Sequence, residues 1–320
     1  MKVSWRMLGA VAAVGLGACE LPDGIDTGGG GGAGGGTFSR GFAFVRGEDR
    51  NVYVVDEAGD PNAPQKLTTQ GGAYFPAVSR DGRVVAFVFK SGGTTELRRV
   101  PTSGGQPSTL LSSAALPGCD GCGNFRHPSF SPDGQTLVFT LDKGGLPSLA
   151  RVGADGSGFQ VIATGGDGGY YFGAASFFPD GQSVLAVAGQ SNSWFNQLLR
   201  VSVDGSRPMD VISSSLGNEA QVVVNRAVLS PDGTQVAFDG RVSSGASRIF
   251  VAPIGQSLDS VTMVTELPSE FPFWRSASEL GFLSNDGGGQ HIYRIGASTV
   301  RGTGSLMVPS AMEPSYGGGL

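Results

Sequence analysis

The feature that most constrains the fold is a turn motif that recurs along the chain. Each copy carries an apolar stretch, a turn ending in Asp-Gly, and then alternating apolar residues. The aspartates are Asp81, Asp133, Asp180 and Asp232, so successive copies lie 52, 47 and 52 residues apart. Proline and aspartate favour the early positions of a tight turn, and glycine accepts the positive φ that follows. This period predicts an array of similar units, each packed against the next.

Apolar segments on both sides of these turns predict the strands of each unit. The second strands are expected at 41–45, 84–88, 137–139, 184–187, 236–238 and 280–283. The third strands are expected at 51–55, 96–100, 148–152, 197–201, 248–251 and 291–295. Their alternation of apolar and polar residues is typical of β-strands. Short fourth strands, such as 65–67 and 160–162, would complete each unit, so the pattern predicts six four-stranded antiparallel units.

The two ends of the chain complement each other. The N-terminal unit starts with a second strand, because a glycine-rich segment precedes Gly41. Near the C-terminus, Glu313–Tyr316 matches His127–Phe130 position for position and would supply the missing first strand. Such closure removes exposed sheet edges. We therefore expect an all-β, six-bladed propeller over residues 38–320, with about 47 residues per blade, closed by pairing of the N- and C-terminal strands.

The combined motifs resemble the repeat of TolB-like propellers, also described as WD40-like PD40 repeats. The resemblance lies in Ser-Pro-Asp-Gly at Ser230–Gly233, alternating apolars, an Ile-Phe-Val third strand at Ile249–Val251, and Asp-Gly-Ser at Asp155–Ser157. It extends over essentially all of the chain after the glycine-rich segment. It implies a six-bladed propeller of the bacterial envelope.

The first residues are typical of a secretory signal. Lys2 and Arg6 precede the apolar stretch Met7–Ala18, whose twelve residues are too few to span a bilayer. The stretch ends in Leu-Gly-Ala before Cys19, which resembles a bacterial lipobox. The resemblance implies cleavage after residue 18 and a diacylglyceryl and fatty-acyl (palmitate-type) anchor on Cys19. The alternative is an ordinary signal peptide with a chance cysteine.

The segment after Cys19 is predicted to be a tether. Residues 28–36 are glycine with one alanine, a composition typical of a flexible coil. The predicted organisation is therefore a signal peptide at 1–18, the lipidated cysteine and tether at 19–37, and the propeller at 38–320. Glu20, rather than aspartate, follows the cysteine, and by resemblance to bacterial sorting signals this favours the outer membrane, facing the periplasm or the cell surface.

Charge excludes a nucleic-acid partner. The full chain has a net charge of −5, and removal of Lys2 and Arg6 with the signal leaves −7. Nucleic-acid binding requires a basic face, which this sequence does not provide.

Catalytic and metal-binding motifs are weak. Cys119 and Cys122 form a Cys-x-x-Cys in a loop of an exported chain, which favours a local disulfide over a redox pair or a metal site with His127. His127 occupies a repeat position that Phe75 and Phe271 also occupy, which favours a structural role. The repeat aspartates are predicted to form turns rather than a catalytic pair. We expect no catalytic residue, no metal and no cofactor.

Two aromatic loops depart from the repeat and are the candidate ligand contacts: Tyr170 with Tyr171, and Trp194 with Phe195. Aromatic side chains at loop tips bind proteins or stack on sugars, although packing over the blade is the alternative. The sequence favours a non-catalytic binding or scaffold propeller with an envelope protein as partner. The alternatives are an envelope enzyme or lectin-like module acting on polysaccharide or peptide, and a small-ligand site in the central channel.

The lipobox interpretation predicts that replacing Cys19 by alanine abolishes lipid attachment, because the thiol is the acceptor. Labelling cells with an alkyne analogue of palmitate should mark the wild-type protein and not Cys19→Ala, which should accumulate with its signal attached. The double variant Cys119→Ala, Cys122→Ala is the matched control and should remain labelled. Equal labelling of Cys19→Ala, or a mature N-terminus other than Cys19 by mass spectrometry, would contradict the prediction.

Overall fold

A computed structural model describes residues 38–116, 118–191, 194–254 and 260–318. The predicted signal peptide, Cys19 and the tether lie outside these residues. The described chain forms 24 strands in six four-stranded sheets. A single 3₁₀ turn at Asp167–Gly169 interrupts the strand pattern among the described residues. None of the helical structure described is long and apolar enough to cross a bilayer.

The strands follow one another blade by blade. Blade 1 begins with β1 (Arg40–Val45), β2 (Val52–Asp56) and β3 (Gln65–Lys66). Blade 2 contains β4 (Ala73–Val78), β5 (Val84–Ser91), β6 (Thr94–Pro101) and β7 (Ser108–Ser112). Blade 3 contains β8 (Cys122–Phe130), β9 (Thr136–Lys143), β10 (Leu146–Gly153) and β11 (Gln160–Ala163).

The remaining blades repeat the order. Blade 4 contains β12 (Tyr171–Phe177), β13 (Ser183–Gly189), β14 (Gln197–Ser202) and β15 (Asp210–Ser213). Blade 5 contains β16 (Val222–Leu229), β17 (Gln235–Arg241), β18 (Ser247–Pro253) and β19 (Thr262–Met263). Blade 6 contains β20 (Ser269–Trp274), β21 (Glu279–Asn285), β22 (Gln290–Gly296) and β23 (Ser305–Val308). The last strand, β24 (Met312–Gly318), joins blade 1.

The predicted closure is confirmed. β24 pairs antiparallel with β1, with Phe42 opposite Tyr316 and Ala43 opposite Ser315. The first strand of blade 1 therefore comes from the C-terminus, and the six-bladed, all-antiparallel architecture predicted from the repeat is correct. An aromatic cluster lies at the closing seam: the Phe42 ring is 5.3 Å from Tyr316 and 5.9 Å from Phe273 of blade 6. Closure thus joins blade 1 to its neighbour as well as completing its sheet.

The repeat aspartates stabilise their own turns. Asp81 accepts a hydrogen bond from Ser79 Oγ at 2.6 Å and from the Arg83 N–H at 3.1 Å. Asp133 and Asp232 make the equivalent bonds with the serine two residues before and the backbone two residues after. Asp180 instead accepts from the backbone N–H of Gln182 and Ser183. These carboxylates hold the turns between first and second strands.

Every innermost strand is bulged. The register of each first strand against its neighbour shifts near its middle, for example between Tyr74 and Ala77 and between Glu270 and Phe273. At the bulges of four blades, the residue before the repeat proline has positive φ; these residues are Phe75, His127, Phe271 and Glu313, with φ of 49°, 50°, 54° and 50°. Such φ values are rare for bulky side chains. A β-bulge re-aims side chains, and these four all line the central channel.

The contribution of ring closure to stability can be tested at Phe42. This side chain is 1% exposed and contacts both β24 and blade 6. Phe42→Ala should lower the free energy of unfolding by about 3–5 kcal/mol, as expected for a large buried aromatic. Urea denaturation measures this directly. Phe159→Ala, at a half-buried phenylalanine on the periphery of blade 3, is the control and should cost clearly less. An equal loss of unfolding free energy in the two variants would contradict the prediction that the Phe42 contacts at the closing seam contribute more to stability than the peripheral contacts of Phe159.

Candidate functional site

The central channel contains a candidate site. A cavity of about 560 Å³ occupies the half of the channel nearest the Asp-Gly turns. All six first strands contribute to its wall, each from its bulge towards its turn. This volume falls within the range of small-molecule pockets. Its wall is rich in aromatic side chains: Phe130, Phe177, Phe273, Trp274 and Tyr316.

Arg226 forms part of the inner end of this cavity. Its guanidinium reaches from blade 5 to two other blades: Nε donates to the Pro272 carbonyl at 3.0 Å, and Nη2 donates to the carbonyls of Phe271 at 3.1 Å and Pro314 at 2.6 Å. Burial lowers the pKa of Arg226 to about 10, while Asp239 and Glu313 act in the opposite direction. The side chain therefore remains cationic at neutral pH.

The two carboxylates near Arg226 are occupied by other donors. Asp239 is fully buried and accepts from the backbone N–H of Asn225 at 2.9 Å, of Arg226 at 3.0 Å and of Phe271 at 3.0 Å, and from Asn225 Nδ2 at 2.8 Å. Burial raises the pKa of Asp239, although these bonds oppose the rise. Glu313 accepts from Arg50 Nη1 at 2.8 Å and the Phe75 N–H at 2.6 Å. Neither makes a direct ion pair with Arg226.

His127 lies beside Arg226 at the same level of the channel. Its ring is 4.3 Å from that of Phe75. Burial, together with the positive charges of Arg226, Arg126 and Lys90, lowers the pKa of His127 to about 3. The imidazole is therefore neutral at physiological pH. A general base would need a pKa nearer the working pH, so this environment favours the structural role expected from the repeat.

The two predicted aromatic loops lie at the same end of blade 4. Tyr171 begins β12 opposite Gly189, the last residue of β13, and Trp194 follows in the connection between β13 and β14. Trp194 is 49% exposed, whereas Tyr170, Tyr171 and Phe195 are half-buried. Phe195 packs against the core between blades 4 and 5. Tyr170 instead packs against the core between blades 3 and 4. The four residues therefore lie near the same end of blade 4 without forming one cluster, and Trp194 is the exposed aromatic side chain among them.

Gly189 allows this loop to fold back on the strand. A Cβ at this position would lie 1.8 Å from the carbonyl oxygen of Trp194, which no side chain could accommodate. The Phe195 carbonyl also accepts from the Val223 N–H of blade 5 at 2.8 Å. Backbone contacts on both sides therefore fix the position of Trp194.

Cys119 and Cys122 lie on the loop that enters β8. Both are buried and their Cα atoms are 5.6 Å apart, within the range that a disulfide spans. The geometry is compatible with the expected bond, which stays a prediction. Across the described ranges, no group of three or more His, Cys, Asp or Glu side chains is arranged to hold a metal ion.

Sequence reasoning missed the inner end of the channel. Arg226 and Glu313 occupy the repeat position of His127, but their reach across blades depends on the closed ring. The sequence did contain one signal for these residues. In several blades, the residue just before the repeat proline, or at the equivalent position, lines the channel.

Burial of neutral His127 predicts an acid sensitivity of the fold. Its folded pKa of about 3 lies below the ordinary value of 6.5, so the unfolded chain takes up a proton first as pH falls, and stability declines below about pH 6.5. His127→Phe, which copies Phe75, should flatten the decline between pH 6.5 and 4.5. Urea titrations at several pH values measure this, and the two proteins should run parallel from pH 7 to 8. Parallel curves down to pH 4.5 would contradict the prediction.

Solved structures with the same fold include TolB proteins. TolB from Acinetobacter baumannii is 18% identical with a TM-score of 0.63, over 87% of this chain and 66% of that one. A putative TolB from Agrobacterium tumefaciens is 15% identical with a TM-score of 0.53, over 83% of this chain and 88% of that one. A chain of a nidogen/laminin complex is 11% identical with a TM-score of 0.60, over 87% and 98%. At these identities the similarity shows the fold.

The expected TolB-like propeller is thus confirmed, although this chain spans just under two thirds of the Acinetobacter protein. A family model described as the lipoprotein LpqB beta-propeller domain matches residues 68–248, more than half of the chain. The matched range runs from the end of blade 1 into blade 5. The chain therefore belongs to the LpqB-type lipoprotein β-propeller family.

Proposed function

We propose that this protein is a lipid-anchored envelope propeller that acts by binding a protein partner rather than by catalysis. The observation that carries the proposal is Trp194, a half-exposed indole whose backbone is held against Gly189 at the end of blade 4. Large aromatic side chains with a fixed position lose little entropy on binding and are enriched at the centres of protein interfaces. Loops held on a rigid scaffold are also where binding residues concentrate.

The position of the first described residues supports a partner site at the Trp194 end of the propeller. Ser39 lies against the Asp-Gly turn of blade 2, where a Cβ on Gly82 would be 2.5 Å from the Ser39 carbonyl. Trp194 lies at the opposite end of its blade, in the connection between second and third strands. A membrane anchor attached before Phe38 would leave the Trp194 end directed away from the attachment point. Partner access and anchoring therefore do not compete.

The channel lining disfavours the enzyme alternative. Cleavage of polysaccharide by paired carboxylates needs two such groups facing each other across about 5–10 Å. Of the described residues that form the cavity wall, Glu313 alone carries a carboxylate, and Arg50 and the Phe75 N–H already occupy it. The turn aspartates hold their own loops. The family name also favours a lipoprotein. The proposed bounds rest on the sequence motifs: residues 1–18 as signal and 19–37 as anchor and tether. The proposed outer-membrane location, facing the periplasm or the cell surface, rests on Glu20 after the cysteine.

A photo-crosslinking amino acid at position 194 tests the docking surface in intact cells. We expect a discrete adduct with one envelope protein, identified by mass spectrometry. The same amino acid at Val300 is the matched control, because Val300 is also apolar and exposed, at 69%, but lies at the opposite end of blade 6. The partner, once purified, should bind Trp194→Ala at least about tenfold more weakly than wild type, and Val300→Ala unchanged.

The outcome separates the competing functions. Equal crosslinking at 194 and 300, or unchanged affinity of Trp194→Ala, would remove the docking surface. Retention of envelope glycan through Trp194 without a protein adduct would favour the lectin-like alternative. Thermal unfolding of each variant shows that any loss is not a loss of fold.

A further inference from the structure

We propose that the central channel binds a small organic carboxylate, with its anionic group at Arg226 and its apolar body among the aromatic side chains of the cavity wall. This site lies in the turn-facing half of the channel, away from Trp194. It does not depend on the protein-docking role proposed above.

The charge of the cavity wall is the first argument. Among the described residues, four arginines line it, Arg40, Arg80, Arg226 and Arg275, against one carboxylate, that of Glu313. Glu57 forms ion pairs with Arg40 at 3.4 Å and with Arg275, and Glu279 also pairs with Arg275. Neither glutamate is in the wall. The positive charge left unbalanced within the described residues is therefore that of Arg80 and Arg226. Arg80 is exposed near the turn, at the outer mouth. The cavity in a protein of net charge −5 is thus locally cationic, and such a cleft concentrates anions.

Arg226 supplies the specific anchor. Its three hydrogen bonds go to neutral carbonyl groups and leave its charge without a counterion at contact distance. Nη1 makes no hydrogen bond within the described part of the chain, and it is not among the buried polar atoms there, so it remains open to solvent. A guanidinium fixed in this way needs no reorganisation to receive an anion. Hydrogen bonds between ionised partners are about twice as strong as neutral ones.

The charges in the cavity favour a carboxylate over a phosphate. Nε and Nη2 are occupied, so the guanidinium presents Nη1 alone and not the two parallel donors that bind a carboxylate or a phosphate most strongly. The charge of the ligand therefore decides between the two. Glu313, which lines the same cavity, would repel a dianion more than a monoanion. The aromatic residues between the bulges and the turns, among them Phe273, Trp274 and Tyr316, provide an apolar wall for the rest of the ligand.

Fluorine NMR of the full-length protein labelled with 5-fluorotryptophan tests the site. Trp274 lines the cavity and donates its Nε1–H to the Val228 carbonyl at 3.0 Å, whereas Trp194 lies outside the cavity wall. 4-Phenylbutyrate should shift the Trp274 resonance saturably and leave that of Trp194 unchanged. The uncharged 4-phenylbutyramide is the matched probe and should bind at least about tenfold more weakly, since it lacks the charged hydrogen bond. Trp5→Phe and Trp194→Phe each identify one of the three tryptophan signals, which leaves the third to Trp274.

Three variants place the ligand. Arg226→Gln should weaken 4-phenylbutyrate binding about tenfold or more. Ser129→Phe keeps every charge but fills the cavity wall, and should abolish the Trp274 shift even if Arg226→Gln folds poorly. Arg80→Gln should weaken binding about two- to threefold, because it removes a positive charge that attracts the anion to the outer mouth of the cavity. Arg83→Gln, a highly exposed arginine just beyond the same turn, is its matched control and should bind as wild type.

Several results would overturn the proposal. These are no saturable shift of Trp274 in the wild type, equal binding of the acid and the amide, or unchanged binding by Ser129→Phe. Loss of crosslinking at position 194 with the Trp274 shift intact would remove the docking role alone. The reverse result would remove the carboxylate site alone.

Discussion

The pairing of β24 with β1 is the interaction on which the rest of the structure depends. An open array of five complete blades and one incomplete blade would expose the inner edge of β1 and leave the last blade without a neighbour. In the closed ring, β24 pairs with the inner edge of β1, and blade 1 becomes the neighbour of the last blade. Phe42, Phe273 and Tyr316 then fill the seam with a mutually contacting aromatic cluster. The Tyr316 hydroxyl also contacts Arg40, which ties the end of β24 to the start of β1.

Closure also creates the channel chemistry. Arg226 can donate to the Pro314 carbonyl only because the C-terminal strand lies inside blade 1. Glu313, on the same strand, accepts from the Phe75 N–H of blade 2. Two adjacent residues of β24 therefore contact two different blades: Pro314 contacts blade 5 and Glu313 contacts blade 2. The inner end of the cavity is thus assembled from blades that are distant in sequence. A protein lacking this strand would lose both the seam and the anion site.

The fold could be predicted because its determinants are local and repeated. The Asp-Gly turns set the spacing of first and second strands, alternation set which residues face inward, and the match between Glu313–Tyr316 and His127–Phe130 indicated closure. The position of Tyr171 and Trp194 at the same end of blade 4 was also predictable, since both fall in one repeat. The cavity was not predictable in the same way. It depends on positive φ at the bulges, which the residue before a proline does not usually adopt, and on the reach of one arginine across three blades.

The two ends of the propeller differ in chemistry for a structural reason. At one end, the turns between first and second strands of blades 2, 3 and 5 are short and alike, with Ser79, Ser131 and Ser230 bonded to their aspartates. At the other end, the connections differ from blade to blade: β5 and β6 are joined by two glycines, whereas β13 and β14 are separated by seven residues that include Trp194. A constant end favours a site built inside the ring. A variable end favours recognition by a single blade, because one loop can change without disturbing the other five.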